Sequence, residues 1–295
     1  MERSFGGHSM TGRLRRVLLC APDVAGWSEP QASSRWAELG YRRAPSGAVA
    51  RAQHDRMRRH LEDAGAEIVW LPAAQGVSLD AVYAHDASFM TDHGAVLMRM
   101  GKPARASEPG RHADLYRTLG IPILGGVEAP GTSEAGDIVW LDARTVLVGH
   151  GYRTNQAGIE QLRGVLAPHD VEVIAAPLPY GHGPDACLHL MSLISVLDHD
   201  ERVALVDLAW LAVQTVELLR ARGFTLIEID TTERDALGCN VVSLGHKLLV
   251  ALEGSPATIA RMRDAGFDVR TFPGSELCDN GSGGPTCLTR PILRH

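Results

Sequence analysis

The sequence predicts an α/β fold made by radial repetition: a five-bladed α/β propeller of ββαβ units with pseudo-fivefold symmetry. Three observations predict it. One pattern recurs along the chain: apolar strand, turn, second strand, amphipathic helix and β-rich strand. The positions that open the copies, Asp86, Asp137, His189, Asn240 and Cys287, stand 51, 52, 51 and 47 residues apart. The two chain ends, each incomplete, make one full copy when joined. A lone small sheet cannot bury both its faces, so units of this period stack on their neighbours.

The elements follow in order. Arg16 to Ala21 (RVLLCA), a helix from Val49 to Ala64 and EIVWLP make up most of one copy, whose first strand, Cys287-Leu-Thr-Arg-Pro, lies near the other chain end. Joining them removes an open sheet edge. The copy at Asp86 has ASFMTDHGAVLMRM, a helix around His112 to Leu119 and IPILG. The clearest copy, Asp137 to Pro177, has IVWL, a turn at Asp142 to Arg144, VLVG, a helix from Asn155 to Leu166 and VEVIAAP. The copy at His189 has HLMSLISVLD, RVALVD, a helix over Leu211 to Arg222 and TLIEID. The copy at Asn240 has NVVSLG, a turn at Gly245 to Lys247, LLVALEG, a helix from Pro256 to Ala265 and DVRTFP. A doubly wound α/β sheet also alternates strands and helices and stays open as an alternative. Against it, no G-x-G-x-x-G or Walker loop follows a strand.

Composition narrows the class. The 295 residues are 45% hydrophobic, enough for a continuous core, and the formal charge of −6 comes from interspersed acids and bases. A nucleic-acid groove or an anionic membrane surface is therefore not expected as partner, whereas a small cationic ligand fits. With no apolar run of spanning length and no signal-peptide pattern, the expected location is the cytoplasm. A homo-oligomer is left open. Met1 to Thr11 (MERSFGGHSMT) is small and polar and reads as a disordered leader, with one domain spanning residues 12–295.

The five cysteines, Cys20, Cys187, Cys239, Cys278 and Cys287, are odd in number and lack C-x-x-C pairing, which argues against a disulfide framework or zinc cage. Cys20, Cys187 and Cys239 sit among apolar neighbours and read as small hydrophobes. Cys287 follows the flexible run GSGGPT and is the candidate reactive thiol. His182, Asp185 and His189 lie close together, but the segment is broken by Gly and Pro and no H-E-x-x-H is present, so no metal is expected.

In a propeller the strand entrances face the central channel, which would gather Asp86, Glu134 with Asp137, His189, Asn240 and Cys287 from distant parts of the sequence. Each has a plainer reading: Asp86 as a turn residue, Glu134 as a loop residue, Asp137 as a backbone brace, His189 as a core histidine, Cys287 as an inert thiol, Arg153 as a solvated helix start. Acids, an imidazole and a thiol around one axis form a site for covalent chemistry on a cation.

At these residues the sequence resembles the guanidino-group modifying enzymes: arginine deiminases, dimethylarginine dimethylaminohydrolases and amidinotransferases. The matching stretches are YAHDASFMTDHGAVLMRMGKPAR, APGTSEAGDIVWLDARTVLVGHGYRTNQAGI, CLHLMSLIS and GGPTCLTRP. The resemblance implies the pentein fold, a catalytic α/β-propeller domain that needs no cofactor. It makes Cys287 the nucleophile, His189 the general acid and base, Glu134 the carboxylate that orients His189 and the guanidinium, and Asp86 a further guanidinium acceptor. Arg153 (in R-T-N) and Arg105 (in G-K-P-x-R) would hold the substrate carboxylate. Two departures stand out. Glu134-Ala135-Gly136-Asp137 replaces E-G-G-D, which keeps the turn if residue 135 avoids positive φ. His189-Leu190-Met191 replaces the H-x-D of deiminases and amidinotransferases. Read as a strand, this removes a carboxylate from the channel. The implied activity is hydrolysis of a methylated arginine to citrulline and an amine through an S-alkylthiouronium. An arginine deiminase, an amidinotransferase or a non-catalytic binding propeller are the alternatives.

Overall fold

The computed structural model describes residues 3–74, 77–184 and 186–295. Its strands form five sheets of three strands each, and all five share one topology. Two antiparallel strands form a hairpin, a helix follows, and a third strand returns parallel to the second. β3 (Ser88–Thr91), β4 (Gly94–Leu97), α3 (Glu108–Thr118) and β5 (Ile123–Gly126) make one such unit. β6 (Ile138–Asp142), β7 (Thr145–His150), α4 (Gln156–Leu166) and β8 (Glu172–Pro177) make the next. β9 (Ile194–Asp198), β10 (Val203–Val206), α5 (Val213–Ala221) and β11 (Thr225–Glu228) follow. β12 (Val242–Gly245), β13 (Leu248–Leu252), α6 (Pro256–Asp264) and β14 (Asp268–Phe272) complete the fourth.

The fifth unit joins the chain ends. β15 (Arg290–Arg294) pairs antiparallel with β1 (Leu14–Leu19), which pairs in parallel with β2 (Glu67–Trp70) after α1 (Pro30–Ser33) and α2 (Gly47–Asp63). The middle strands, such as β7 and β10, are covered on both faces and read as continuous apolar runs. The third strands are more open, as in β2 and β11.

Hydrophobic contacts join one sheet to the next. Val96, Trp140, Val146 and Ile159 share one core, Leu147, Ile194, Val206 and Leu219 a second, and Leu205, Val241, Leu249 and Ile259 a third. The largest cluster ties β1 and β15 to Val250 and Phe272 of the fourth unit and to Met90 of the first. Helices supply one face each. α4 buries Ile159, Leu162 and Leu166, and its N-cap Asn155 accepts from Gly158 N–H at 2.8 Å.

The first expectation to fall is the leader. Residues 3–11 form a strap across the hairpin-turn end of the molecule; Met1 and Glu2 of the expected leader lie outside the described residues. Gly6 pairs with Leu293, Gly7 N–H donates to Asp92 Oδ1 at 2.7 Å, and His8 stacks on Trp140 at 4.2 Å. Its glycines and small polar residues serve a close backbone approach instead of disorder. The second concerns strand starts. Cys287 precedes β15 by a turn, and His189 opens a 3-10 turn, Leu190–Ser192, ahead of β9.

Asn155 also accepts from Thr132 N–H and donates to the Pro130 carbonyl, both at 3.0 Å. Asn155→Ala should therefore lower unfolding free energy by about 1–2 kcal/mol, read from urea denaturation with an unchanged slope.

Candidate active site

The loops entering the first strands meet at a cavity of about 320 Å³, whose walls include Asp86, Arg153, Cys187, His189, Asn240 and Cys287. Glu134 lies directly behind it. Its carboxylate is fully buried, with Oε1 accepting from Gly101 and Lys102 N–H at 2.9 and 3.2 Å and Oε2 lying 2.7 Å from His189 Nε2. Arg153 NH1 approaches both oxygens at 3.3–3.4 Å. Burial alone would raise this acid, but the His189 hydrogen bond and charge, with Arg153 and Arg105, hold it well below the usual carboxylate range. His189 responds in kind. Burial would lower it, yet Cys187, Asp86 and Glu134 together raise it well above an ordinary imidazole.

The backbone around His189 is fixed by Asp137, which is buried and accepts Thr154 Oγ1 at 2.6 Å and Leu190 N–H at 2.9 Å. Asp137 is thus the backbone brace of the two readings open to it. Gly136 explains why the turn tolerates Ala at 135 but needs glycine next. Residue 135 avoids positive φ, whereas a Cβ at 136 would fall 2.7 Å from both Asp86 Oδ1 and His189 Nδ1.

Asp86 accepts Gly136 N–H at 3.1 Å and Arg105 NH1 at 2.6 Å. Burial opposes its charge, but His189 and Arg105 outweigh it and the acid stays lowered. Arg105, expected to hold a substrate carboxylate, lines the cavity and is also tied to neighbouring acids. Arg105 is 3% exposed and its guanidinium is engaged by Asp86, by both oxygens of Glu108 and by the Tyr83 carbonyl, so it holds Asp86 in place. Arg153, read at its plainest as solvated, is buried against Glu134 and remains on the cavity wall.

Cys287 is half-buried, and its Sγ accepts from Asn240 Nδ2 at 3.3 Å while Asn240 Oδ1 takes Thr286 N–H at 2.9 Å. Burial and then the Asp86 charge push its thiol up to about 12. The preceding glycine run is packed, not flexible: a Cβ on Gly283 or Gly284 would lie 2.4–2.5 Å from Tyr83 or Asn240.

Three further residues were not legible. Cys187, expected to be inert, is exposed within this concave wall, with Sγ 3.8 Å from His189 Nδ1. Burial would raise its thiol, but His189 and Arg153 bring it below the ordinary value. Leu39 and Arg42, from the segment between α1 and α2, reach the cavity because Lys102 Nζ donates to the Leu39 carbonyl at 2.6 Å and Arg42 N–H to that of Asn280 at 3.0 Å. Met191, by contrast, is buried in the core of the second and third cavity-forming units, on a 3-10 turn, so strand alternation does not decide what replaces it. Asp86, Glu134 and His189 place ligand atoms within 4.8 Å of one another, a spacing a cation can use. Asp185 lies outside the described residues.

Buried acids, a charged imidazole and a thiol assembled on five repeated α/β sheets define the class of guanidino-group modifying enzymes. Comparison with known proteins gives the family: a family model described as arginine deiminase matches residues 79–209 and 209–294, and the chain belongs to that family. The N(G),N(G)-dimethylarginine dimethylaminohydrolase of Pseudomonas aeruginosa is 26% identical over 245 residues, covering 83% of this chain and 89% of that protein. A solved mutant of that organism's enzyme complexed with citrulline superposes with a TM-score of 0.75 at 22% identity, covering 95% of this chain and 100% of the other. An amidinotransferase from Microseira wollei, of the saxitoxin biosynthetic pathway, gives 0.79 at 16% identity, covering 99% and 97%. These likenesses extend the fold match across almost the whole chain. No helix among the described residues is long and apolar enough to cross a membrane.

The Glu134–His189 pair has a defined pH signature. His189 is raised, so its contribution to stability is complete below the free imidazole value of about 6.5 and is lost as pH climbs through its folded value. Glu134 is lowered, so its contribution is complete above about 4.5 and is lost as pH falls through its folded value. Glu134→Gln should flatten both limbs of a plot of urea midpoint against pH and lower the His189 pKa seen by NMR. An unchanged His189 titration would contradict the pairing.

The thiols should also differ in reactivity. Neutral iodoacetamide should modify Cys187 before Cys287, and leave the buried Cys20, Cys239 and Cys278 untouched, as read by peptide mass mapping.

Proposed function

We propose that the chain hydrolyses the guanidino C–N bond of an N-substituted arginine, giving citrulline and an amine, as a single catalytic five-bladed propeller domain. The observation that carries this reading is His189, paired at 2.7 Å with Glu134 behind it, in the wall of the cavity that Cys287 and Asp86 also line. A guanidinium is resonance-stabilised and a poor electrophile, so its plane must be fixed while a strong nucleophile attacks. Asp86 offers carboxylate oxygens for that plane, and Glu134, behind the cavity, fixes His189.

The resting thiol of Cys287 is protonated, because burial and Asp86 both disfavour the thiolate. A bound guanidinium reverses part of this by bringing positive charge beside the sulfur. The Cys287 proton is lost to solvent as the cation binds, the thiolate adds to the central carbon, and the His189 imidazolium gives its proton to the departing amine. An S-alkylthiouronium remains on Cys287. The neutral imidazole then removes a proton from water, which attacks the same carbon, and collapse expels the thiolate and leaves a ureido product. Arg42, Arg105 and Arg153 all line the cavity; Arg105 is held by Asp86 and Glu108 and Arg153 by Glu134, which leaves Arg42 the one of the three suited to the substrate carboxylate without giving up such a partner.

The choice of an N-substituted substrate rests on likeness to the Pseudomonas aeruginosa dimethylarginine enzyme over most of both chains. Release of ammonia from arginine, or transfer of the amidino group to an amine, uses the same covalent step. A panel of dimethylarginine, arginine, and arginine with an acceptor amine separates the three by product. Citrulline with dimethylamine, formed fastest from dimethylarginine, is expected. Cys287→Ser should cut turnover by more than about a thousandfold, while a cationic haloacetamidine should label Cys287 selectively. An unaffected rate in the serine variant would sink the covalent mechanism, and loss of selective labelling with no turnover on any substrate would leave a binding protein.

A further inference from the structure

Strand β15 carries two guanidinium groups, on Arg290 and Arg294, that form no ion pair among the described residues. Four apart on a strand, they share one face, and each is only 5% exposed. Arg290 NH1 donates to the Ser88 carbonyl at 2.6 Å and NH2 to His85 Nε2 at 2.9 Å, while its buried Nε has no partner. Arg294 NH1 donates to the Gly12 carbonyl at 2.7 Å. Among the described residues neither guanidinium pairs with a carboxylate, in contrast to Arg105, which has two. Burying a cation without a counter-charge is among the costlier things a fold can do. Burial pushes Arg290 down to about 10 and Arg294, which also feels Arg290, down to about 9.

Both arginines line one space of about 20 Å³ under the strap, walled otherwise by residues that include Gly6, Gly7, Met10, Phe89, Ile138 and Trp140, with no acid among them. That volume admits a single particle the size of a water molecule or a monatomic ion. The chemistry of the walls separates the two. Arginine offers donors only, and the Ser9 hydroxyl is already taken by the N–H groups of Thr11 and Gly12. A water accepting from the arginines would still need acceptors for its own two hydrogens, whereas a halide has none to place. Arg294 also lines the open basin of about 750 Å³ between the hairpin turns, which gives an ion a way in.

We propose that a chloride-sized inorganic anion binds between Arg290 and Arg294 and ties the N-terminal strap to β15. It neutralises the two cations in a space that is not part of the cavity lined by Cys287.

The test uses the full chain with bromide as probe. Crystals grown in sodium bromide should show one anomalous peak between the two guanidinium groups. Melting temperature should rise, saturably, by about 3 °C or more when bromide or chloride replaces gluconate at constant ionic strength. Arg294→Gln should lose both the peak and the halide dependence. No axial peak in the native protein overturns the proposal, and so does a peak without any halide-dependent shift, which marks an adventitious ion. Should the variant fail to fold, the two native measurements decide the matter alone.

Discussion

A three-stranded sheet with one helix has two faces and too few residues to cover both, and the rest of this structure depends on how that constraint is met. Each unit lends one face to the next, as Val96 does to Trp140 and Ile159, and Leu249 to Leu205. Such a series exposes an edge and a bare face at each end unless it closes. Here β1 and β15 supply the closing sheet from opposite ends of the chain. The same pairing sets the site. Because every unit starts with a strand that enters from the same end, the residues before those strands meet, and Asp86, Glu134, His189, Asn240 and Cys287 come together from positions spread over some two hundred residues.

Convergence of charge is costly, and the surroundings of each group show how it is met. Glu134 is surrounded by donors on both oxygens, two of them main-chain N–H groups that cannot swing away. Asp86 is held by a guanidinium that is itself gripped by Glu108. Each carboxylate is therefore ionised and fixed without depending on a bound ligand, the condition under which it can meet a cation with little reorganisation. An arginine anchored only by Asp86 would be free to leave with it, and the Arg105–Glu108 contact prevents that.

Much of this was readable in the chain because burial leaves a pattern. Strands covered on both faces become runs such as VLVG and VALV, and a polar residue ahead of such a run marks an entrance. The resemblance added roles for Cys287, His189 and Glu134 that spacing alone leaves open. What escaped depends on partners from other units. Arg105 looks like any loop arginine until Asp86 and Glu108 are seen around it, and Cys187 looks apolar from its neighbours until the turn ahead of His189 exposes it. The strap escaped for a related reason. Its small residues carry no periodic signal, and their order comes from Leu293, Asp92 and Trp140, far away in sequence.

The two thiols of the cavity show how far local electrostatics can separate chemically identical groups. Cys187 faces the His189 imidazolium and is lowered, whereas Cys287 faces Asp86 and is raised to about 12. On the proposed mechanism the ordering inverts when a guanidinium enters, since its charge lies against Asp86 and Cys287 while His189 surrenders a proton. The more acidic thiol at rest is then the one that takes no part in chemistry. Its influence falls on His189, whose charged form it favours, and that form is the one needed to protonate a departing amine. On that mechanism such a site would keep its nucleophile protonated toward neutral electrophiles and activate it for a planar cation, so discrimination would begin with the proton on Cys287 before any contact with the substrate's side chain is made.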